Sequence, residues 1–189
     1  MKSLRLTWLD PIRLSLADDD TEKALVKRLR AEIKGEVSDQ DLKRSVYLVR
    51  MVGRAVIVYD NRPSPVVYIG RGDSVGRLAT HLKNWASKAF TWGHDTSLEI
   101  LIIRPEHPED ADSFKHLEAD LIRWFAAKCG MLPLINGRFE TSYEGKAKYL
   151  PSDRKRLQKL LTVGSGKRPH WAIYPLRANP HYDRYYKSS

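Results

Sequence analysis

The sequence predicts an α/β fold in which a small central antiparallel or mixed β-sheet is flanked by helices. Segments rich in β-branched and aromatic residues begin at residue 45, and segments with helical periodicity alternate with them. The composition is that of a globular protein, with 42% hydrophobic and 30% charged residues. A chain of 189 residues can bury a core without disulfides or a structural metal.

The first 44 residues are predicted as an N-terminal helical extension. An extended start leads into acidic residues and Thr21, which favour a helix start because carboxylates and a capping hydroxyl stabilise its free N–H groups. Leu25, Leu29 and Ile33 then recur every four residues and form one apolar face. Gly35 is expected to end this helix.

Residues 45–139 are predicted as the main domain. Three strand-like segments open it, SVYLVRMV, AVIVY and VVYIG, and a turn-rich cluster separates the last two. They predict a hairpin or a three-strand meander. Residues 74–89 follow with helical spacing, and SLEILII at 97–103 predicts another strand.

A long helix is predicted from the acidic loop HPEDAD to about Lys128, where Gly130 stops it. Glu118 lies four residues from both Phe114 and Ile122, so its carboxylate is expected beside the core. A carboxylate in that position must find a partner or remain protonated, which makes it a candidate for chemistry. The predicted apolar face consists of Phe114, Leu117, Leu121, Ile122, Trp124 and Phe125.

Residues 140–189 are predicted as a basic, aromatic-rich C-terminal extension. They contain eleven basic and four acidic residues and so contribute +7 to a formal net charge of +10. A helix is expected from Pro151, and a Gly-Ser link is expected to leave the final arm free to close on a ligand. Basic residues interleaved with aromatic rings favour a polyanion that offers bases for stacking, so nucleic acid is the expected partner.

The composition argues against several other classes of protein. The single cysteine, Cys129, excludes internal disulfides and zinc-finger arrays and favours a cytoplasmic location. No apolar run approaches the roughly 20 residues of a membrane span, and the start lacks a signal-peptide pattern, so no membrane partner is expected. YIGRGDSVGR contains G-x-G but lacks the dinucleotide-binding and P-loop patterns, so no nucleotide cofactor is expected.

Several motifs follow one another in a specific order between residues 45 and 138. They are VYLVRM, VVYIGRGDSVGRLATHL, the helix segment around Glu118, and Pro133 with Asn136. This ordered set resembles the catalytic domain of the GIY-YIG nuclease superfamily, which includes homing, repair and restriction endonucleases. The resemblance covers about half of the chain. It implies a compact α/β sandwich and a metal-dependent endonuclease, with DNA as the substrate.

The resemblance implies a catalytic set of six residues: Tyr47, Tyr68, Arg77, His81, Glu118 and Asn136. The chemistry of phosphodiester hydrolysis suits these residue types. The tyrosines could position or deprotonate the attacking water, and the histidine could accept that proton or orient a phenol. The arginine clamps the phosphate, and the glutamate holds Mg²⁺ or Mn²⁺. Asn136 is expected to brace the loop below the site.

Two tyrosines, Tyr47 and Tyr59, are candidates for the first tyrosine of the motif. The first strand reads Ser45-Val46-Tyr47 without the family's glycine, and the 21 positions from Tyr47 to Tyr68 exceed the family's usual separation. Tyr59, nine residues before Tyr68, is the alternative. Tyr47 is preferred because VYLVR resembles the family's first strand and the segment between is expected to be a hairpin insertion.

Basic residues outside the catalytic set are expected to bind the nucleic-acid backbone. They are Arg71, Lys88, Arg154, Lys155, Arg156, Lys167 and Arg168. A non-catalytic nucleic-acid-binding module and an RNase with the same chemistry are the alternative functions. A homodimer is an open option, because cutting both strands with one active site needs two copies or two events.

Overall fold

The computed structural model describes residues 3–15, 21–33, 42–53, 55–86, 97–163 and 171–173. They form a mixed α/β fold in which an antiparallel sheet is flanked by helices, and the predicted fold class is confirmed at this level. The strands are β1 (Arg5–Trp8), β2 (Ile12–Ser15), β3 (Ser45–Val52), β4 (Ala55–Val58), β5 (Pro63–Ser64), β6 (Val66–Gly72), β7 (Ser97–Glu106) and β8 (Trp171–Ile173). The helices are α1 (Glu22–Ile33), α2 (Ser74–His81), α3 (Ser113–Cys129) and α4 (Pro151–Leu160).

The main sheet has five strands in the order β1-β7-β3-β6, and β2 also pairs with β7. All of these pairings are antiparallel. β3 is central, because Val46 pairs with Arg71 of β6 on one side and with Ile103 of β7 on the other. This register places the start of β3 beside the ends of β6 and β7. We call this end of the sheet, where Ser45 pairs with Gly72, the Ser45 end.

Each face of the main sheet covers a separate hydrophobic core. On one face, α1 and α2 pack over Tyr47 and Val49, and we call it the α2 face. On the other, α3 and α4 pack over Val46 and Leu48, and we call it the α3 face. Successive residues of a strand point to opposite faces, so neighbours on β3 belong to different cores.

The segment predicted as an N-terminal helical extension also supplies two strands of the main sheet. β1 and β2 both pair with β7. In β2, Ile12 and Leu14 are buried while the residues between and after them are exposed, the alternation of a half-buried strand. The predicted helix is confirmed as α1, and Thr21 Oγ1 accepts a hydrogen bond from Ala24 N at 3.2 Å. Gly35 lies outside the described residues.

The sequence predicts a hairpin or a three-strand meander here, and the meander is wrong, because β3 pairs directly with β6. The segment between them forms its own hairpin, β4 with β5, and β4 also pairs in parallel with β8. Gly53, with a φ of 107°, turns the chain out of the main sheet at the end of β3. Pro63 and Pro65 lack the N–H groups that would extend the pairing of β5.

The C-terminal extension differs in part from its prediction. Its helix begins at Pro151 as expected. The arm expected to be free is instead attached to β4 by residues 171–173, because parallel strand pairing satisfies their backbone groups. The Gly-Ser link and the rest of the arm lie outside the described residues.

The predicted central helices are confirmed. The helix predicted over 74–89 forms α2 and continues as a π-helical turn to Ala86, beyond which the described residues resume at 97. α3 ends at Gly130, which has a φ of 82°. Five of the six predicted core residues of α3 are buried, and Phe114 is partly buried. No helix in the described ranges combines the length and apolar character that crossing a membrane requires.

Candidate active site

The α2 face brings together four of the residues that the sequence predicts as catalytic. Arg77 of α2 donates from Nε to Tyr47 Oη at 3.1 Å and from Nη2 to Tyr68 Oη at 3.2 Å. His81 Nε2 lies 2.9 Å from Tyr47 Oη. The two phenol rings have centroids 6.0 Å apart. We call Tyr47, Tyr68, Arg77 and His81 the phenol cluster.

Local structure explains why these four side chains meet. Arg77 and His81 are four residues apart on α2, so they share one side of the helix. Asp73 fixes the first turn of α2, because its Oδ1 accepts a hydrogen bond from Gly76 N at 3.1 Å. The tyrosines come from the adjacent strands β3 and β6, which lie beneath α2.

Gly70 permits the close approach of the two phenol rings. It pairs with Tyr47 across the strands. A Cβ atom at this position would lie 2.6 Å from Tyr47 Oη and 2.6 Å from Tyr68 Cε1. The Tyr47 ring cannot move aside, since it is fully buried. The glycine of Tyr68-Ile69-Gly70 therefore has a steric role in the cluster itself.

Trp85 determines which ring nitrogen of His81 carries the proton. Its indole Nε1–H donates to His81 Nδ1 at 3.0 Å, so Nδ1 is an acceptor without a proton. Burial lowers the pKa of His81 to about 4, and Arg77 adds to this shift. The ring is therefore neutral at neutral pH, with its proton on Nε2. Of the two roles expected for His81, this geometry favours orienting a phenol: His81 donates to Tyr47 Oη.

The two phenols differ in what they can do. Tyr47 Oη accepts hydrogen bonds from Arg77 and His81. Burial raises the pKa of Tyr47 well above its usual range, with Tyr68 adding to the shift and Arg77 opposing it. Tyr47 therefore keeps its proton at neutral pH. Tyr68 is only half-buried, so its hydroxyl is the one that solvent reaches.

Tyr59, the alternative first tyrosine, lies in the core of the α3 face. Its hydroxyl donates to Val66 O and accepts from Leu134 N at 3.1 Å. Its ring packs edge-on against Phe125, with centroids 4.9 Å apart. The structure thus brings Tyr47 rather than Tyr59 to the phenol cluster.

A second cluster lies on the α3 face of β6. Arg71 Nη1 is 2.9 Å from Glu118 Oε2, and Arg71 Nη2 is 2.9 Å from Glu140 Oε2. The Tyr143 ring packs against the guanidinium, with Arg71 Cζ 5.2 Å from the ring centroid. We call Arg71, Glu118, Glu140 and Tyr143 the carboxylate cluster. Arg71, expected to bind the nucleic-acid backbone, is engaged by two carboxylates because both converge on its guanidinium.

Glu118 is buried beside the core, as the sequence predicts, with 7% of its surface exposed. Burial raises its pKa to about 7; Arg71 opposes this shift and Glu140 reinforces it. Glu118 Oε2 and Arg71 Nη1 are close enough to attract electrostatically, yet their alignment is too poor for a hydrogen bond. Neither atom has a hydrogen-bond partner within the part of the chain that the structure describes. The buried oxygen keeps lone pairs available.

The donor set of the carboxylate cluster fits Mg²⁺. No group of three or more His, Cys, Asp or Glu side chains is arranged to hold a metal within the described ranges. Mg²⁺ needs no such group, because it commonly binds one or two carboxylates and keeps several of its waters. Glu118, with its available buried oxygen, is the residue that would hold the ion.

Asn136 lies between the two clusters, at the outer edge of β6. Its Oδ1 accepts from Ile69 N at 2.9 Å, and its Nδ2 donates to Ile69 O at 2.8 Å. Asn136 therefore holds the strand that carries Tyr68 and Arg71. This is the bracing role expected from the sequence, and it makes Asn136 a positioning residue.

Two of the predicted backbone-binding residues on α4 stack on tryptophan rings. Arg154 lies over Trp124 and Arg156 lies over Trp8, at 5.5 and 3.9 Å from the ring centroids. Trp8 belongs to β1, at the opposite side of the main sheet from β6. Lys155 is exposed. Three further predicted residues lie outside the described part of the chain: Lys88, Lys167 and Arg168.

Sequence reasoning missed Trp85, Glu140 and Tyr143 as parts of these clusters. Trp85 lies four residues after His81, a spacing that places both side chains on one side of the helix and is a usable signal. Glu140 and Tyr143 lie in an irregular segment assigned to the C-terminal extension. No periodicity connects them to Arg71, so the sequence offers no signal for them.

Comparisons with known proteins give no family and no relative, so any proposal about function is based on the geometry of the two clusters. The chain matches no family model, no curated protein and no solved structure.

Proposed function

We propose that the protein is a divalent-metal-dependent endonuclease of the GIY-YIG type that hydrolyses phosphodiester bonds of DNA. The observation that carries this proposal is Arg77 bridging two phenols, one of them bonded to a neutral histidine. Arg77 is near enough to Glu118 to oppose the rise in its pKa. Hydrolysis of a phosphodiester needs these elements together: a phosphate clamp, oriented donors and a carboxylate for a cation.

Arg77 is assigned to bind the phosphate. It is exposed, and two of its N–H groups bond to Tyr47 and Tyr68. A guanidinium has five N–H groups, so three remain after these two bonds. The two phenols fix the plane of the guanidinium, which favours bidentate binding of phosphate oxygens.

Tyr68 and Tyr47 are assigned different roles in the reaction. Tyr68, which solvent reaches, orients the water whose oxygen attacks phosphorus. Tyr47 keeps its proton, and its buried hydroxyl holds Arg77 in position to stabilise the charge that develops on the phosphoryl group. His81 and Trp85 hold Tyr47 in position. Glu118 would hold the cation, which when bound stabilises negative charge on the phosphate and the departing oxygen.

The test is a time course with single- and double-stranded DNA and RNA, in Mg²⁺ or in EDTA. Wild-type protein should cleave DNA in Mg²⁺ only, and Glu118→Gln should abolish cleavage while DNA binding persists. Glu99→Gln is the matched control, because Glu99 is also buried and paired with arginines, Arg50 and Arg13. Normal cleavage by Glu118→Gln would contradict the proposal.

The same experiment separates the alternatives. Cleavage confined to RNA would assign an RNase with the same chemistry. DNA binding without cleavage under any condition would assign a non-catalytic binding module.

A further inference from the structure

A basic groove with a volume of about 770 Å³ lies at the Ser45 end of the main sheet. Its charged lining consists of Arg5, Lys43, Arg44, Arg104, Glu106 and Asp110. None of the four basic residues belongs to the phenol or carboxylate cluster. The groove is therefore a separate feature beside the candidate site.

The register of the strands explains why these cations converge. Ile103 pairs with Val46, so Arg104 follows at the level of Ser45, and Lys43 and Arg44 immediately precede β3. Arg5 opens β1 opposite Glu106 of β7. Three neighbouring strands, β1, β7 and β3, thus bring basic residues to the same end of the sheet: Arg5, Arg104 and Arg44.

The acidic residues of the groove are already engaged. Glu106 Oε1 accepts from Arg104 Nη2 at 3.1 Å, and Asp110 Oδ2 lies 3.1 Å from His116 Nε2. In contrast, Arg5, Lys43 and Arg44 are exposed, and no carboxylate of the described ranges pairs with them. Four cations against two engaged carboxylates favour an anionic ligand.

We propose that this groove binds the sugar-phosphate backbone of a nucleic acid. The cations form a row rather than a closed pocket, which suits a linear polyanion better than a single small anion. Adjacent strands are about 4.8 Å apart, so the two spacings from β1 to β3 cover about 10 Å. At about 3.4 Å per nucleotide along a duplex strand, the row spans about three phosphates.

The row ends at Arg44, next to Ser45, which pairs with Gly72; Gly72 leads into α2, the helix that carries Arg77. A strand held in the groove would therefore continue to Arg77, where the cleaved phosphate is placed. Only this last step rests on the proposed function; backbone binding in the groove does not.

The test compares two double variants of the full chain. Lys43→Gln with Arg44→Gln removes two groove cations, and Lys23→Gln with Lys27→Gln removes two exposed cations from α1 as a matched control. Binding to duplex DNA is measured in EDTA over a series of salt concentrations. Two lost phosphate contacts should reduce the magnitude of the log–log salt slope by about 1.8. The control should keep the wild-type slope.

Several outcomes would overturn the groove proposal. They are a wild-type slope in the groove variant, an equal change in the control, or no DNA binding by the wild-type protein. All substituted side chains are exposed, so thermal melting of both variants should match wild type and confirm that they fold.

This experiment also separates the two proposals. Binding in EDTA involves no cleavage. A reduced salt slope in the groove variant of a protein that never cleaves DNA would support the groove proposal and refute the nuclease proposal. Cleavage by a protein whose groove variant keeps the wild-type slope would support the nuclease proposal and refute the groove proposal.

Discussion

Arg71 and Arg77 are six residues apart in the sequence, yet they face opposite electrostatic surroundings. Arg71 forms ion pairs with two carboxylates, Glu118 and Glu140, and only 22% of its side chain is exposed. Arg77 is exposed, and within the described residues it donates hydrogen bonds to two hydroxyl groups, the phenols of Tyr47 and Tyr68. Carboxylates neutralise a guanidinium, whereas hydroxyl groups orient it by hydrogen bonding without adding a carboxylate's negative charge.

The difference shows how one edge strand supports two kinds of site. The phenol cluster retains a positive charge and suits an anion. The carboxylate cluster contains two carboxylates for one arginine and suits a cation. Variants that change one cluster and spare the other test this division.

Among the variants that disturb the phenol cluster, the largest effect is expected from Gly70→Ala. The added Cβ clashes with both phenol rings, so cleavage should fall by about 1,000-fold. Mn²⁺ binding, measured by titration, should stay near wild type because the carboxylate cluster lies on the other face. Gly137→Ala is the control, since a Cβ there meets no atom within 4 Å. Full activity of Gly70→Ala would break the proposed link between ring contact and catalysis.

Tyr47→Phe should reduce cleavage by about 100-fold, because it removes the oxygen that Arg77 and His81 position. Tyr59→Phe removes an equally buried hydroxyl with two hydrogen bonds but should leave cleavage intact. Each variant should lose about 1 to 2 kcal/mol of unfolding free energy. Kinetics and urea denaturation of both proteins provide the comparison, and the opposite pattern would move the site to Tyr59.

Glu118 should make the protein less stable as the pH rises. Its pKa is about 7 in the folded protein against an ordinary 4.5, so the folded state holds the extra proton between these values. Wild-type protein should lose about 2 kcal/mol between pH 5 and 8 relative to Glu118→Gln. Urea denaturation without divalent cations measures this, with Glu99→Gln as the reference. Parallel pH profiles of wild type and Glu118→Gln would refute the electrostatic account of the carboxylate cluster.

His81 should have a smaller effect, in the opposite pH direction. Its pKa is about 4 in the folded protein against an ordinary 6.5, so the unfolded state binds the proton more readily as the pH falls through this range. Acid should therefore destabilise wild type relative to His81→Asn. The difference should be about 1 kcal/mol, because the partly exposed ring is screened by solvent. Urea midpoints at pH 7 and 4.5 measure it, and equal acid sensitivity would show that His81 does not stay neutral.

Features set by short-range periodicity were predictable from the sequence. The helices α1, α2, α3 and α4 follow from apolar spacing and end signals, and Arg77 and His81 follow from their shared helix face. The buried carboxylate at Glu118 follows from the same spacing. Strand pairing was harder, because the segment AVIVY has the composition of a central strand yet leaves the main sheet.

The choice between the two tyrosines shows the limit most clearly. Tyr47 and Tyr59 both lie in apolar, strand-like segments, and only the pairing of β3 with β6 determines which one reaches Tyr68. Glu140 and Tyr143 depend on the path of an irregular segment. Such contacts join residues distant in sequence, and no local pattern specifies them.

Asn136 blocks the addition of another strand to part of the free edge of β6. β6 is an end strand of the main sheet, and a free strand edge is a template on which another chain can add and aggregate. The amide of Asn136 imitates a neighbouring strand at Ile69, and Ile135 N occupies Val67 O at 3.1 Å. Two residues of an irregular loop thus cap this stretch of edge. The site remains at the rim of the sheet without offering that rim for self-association.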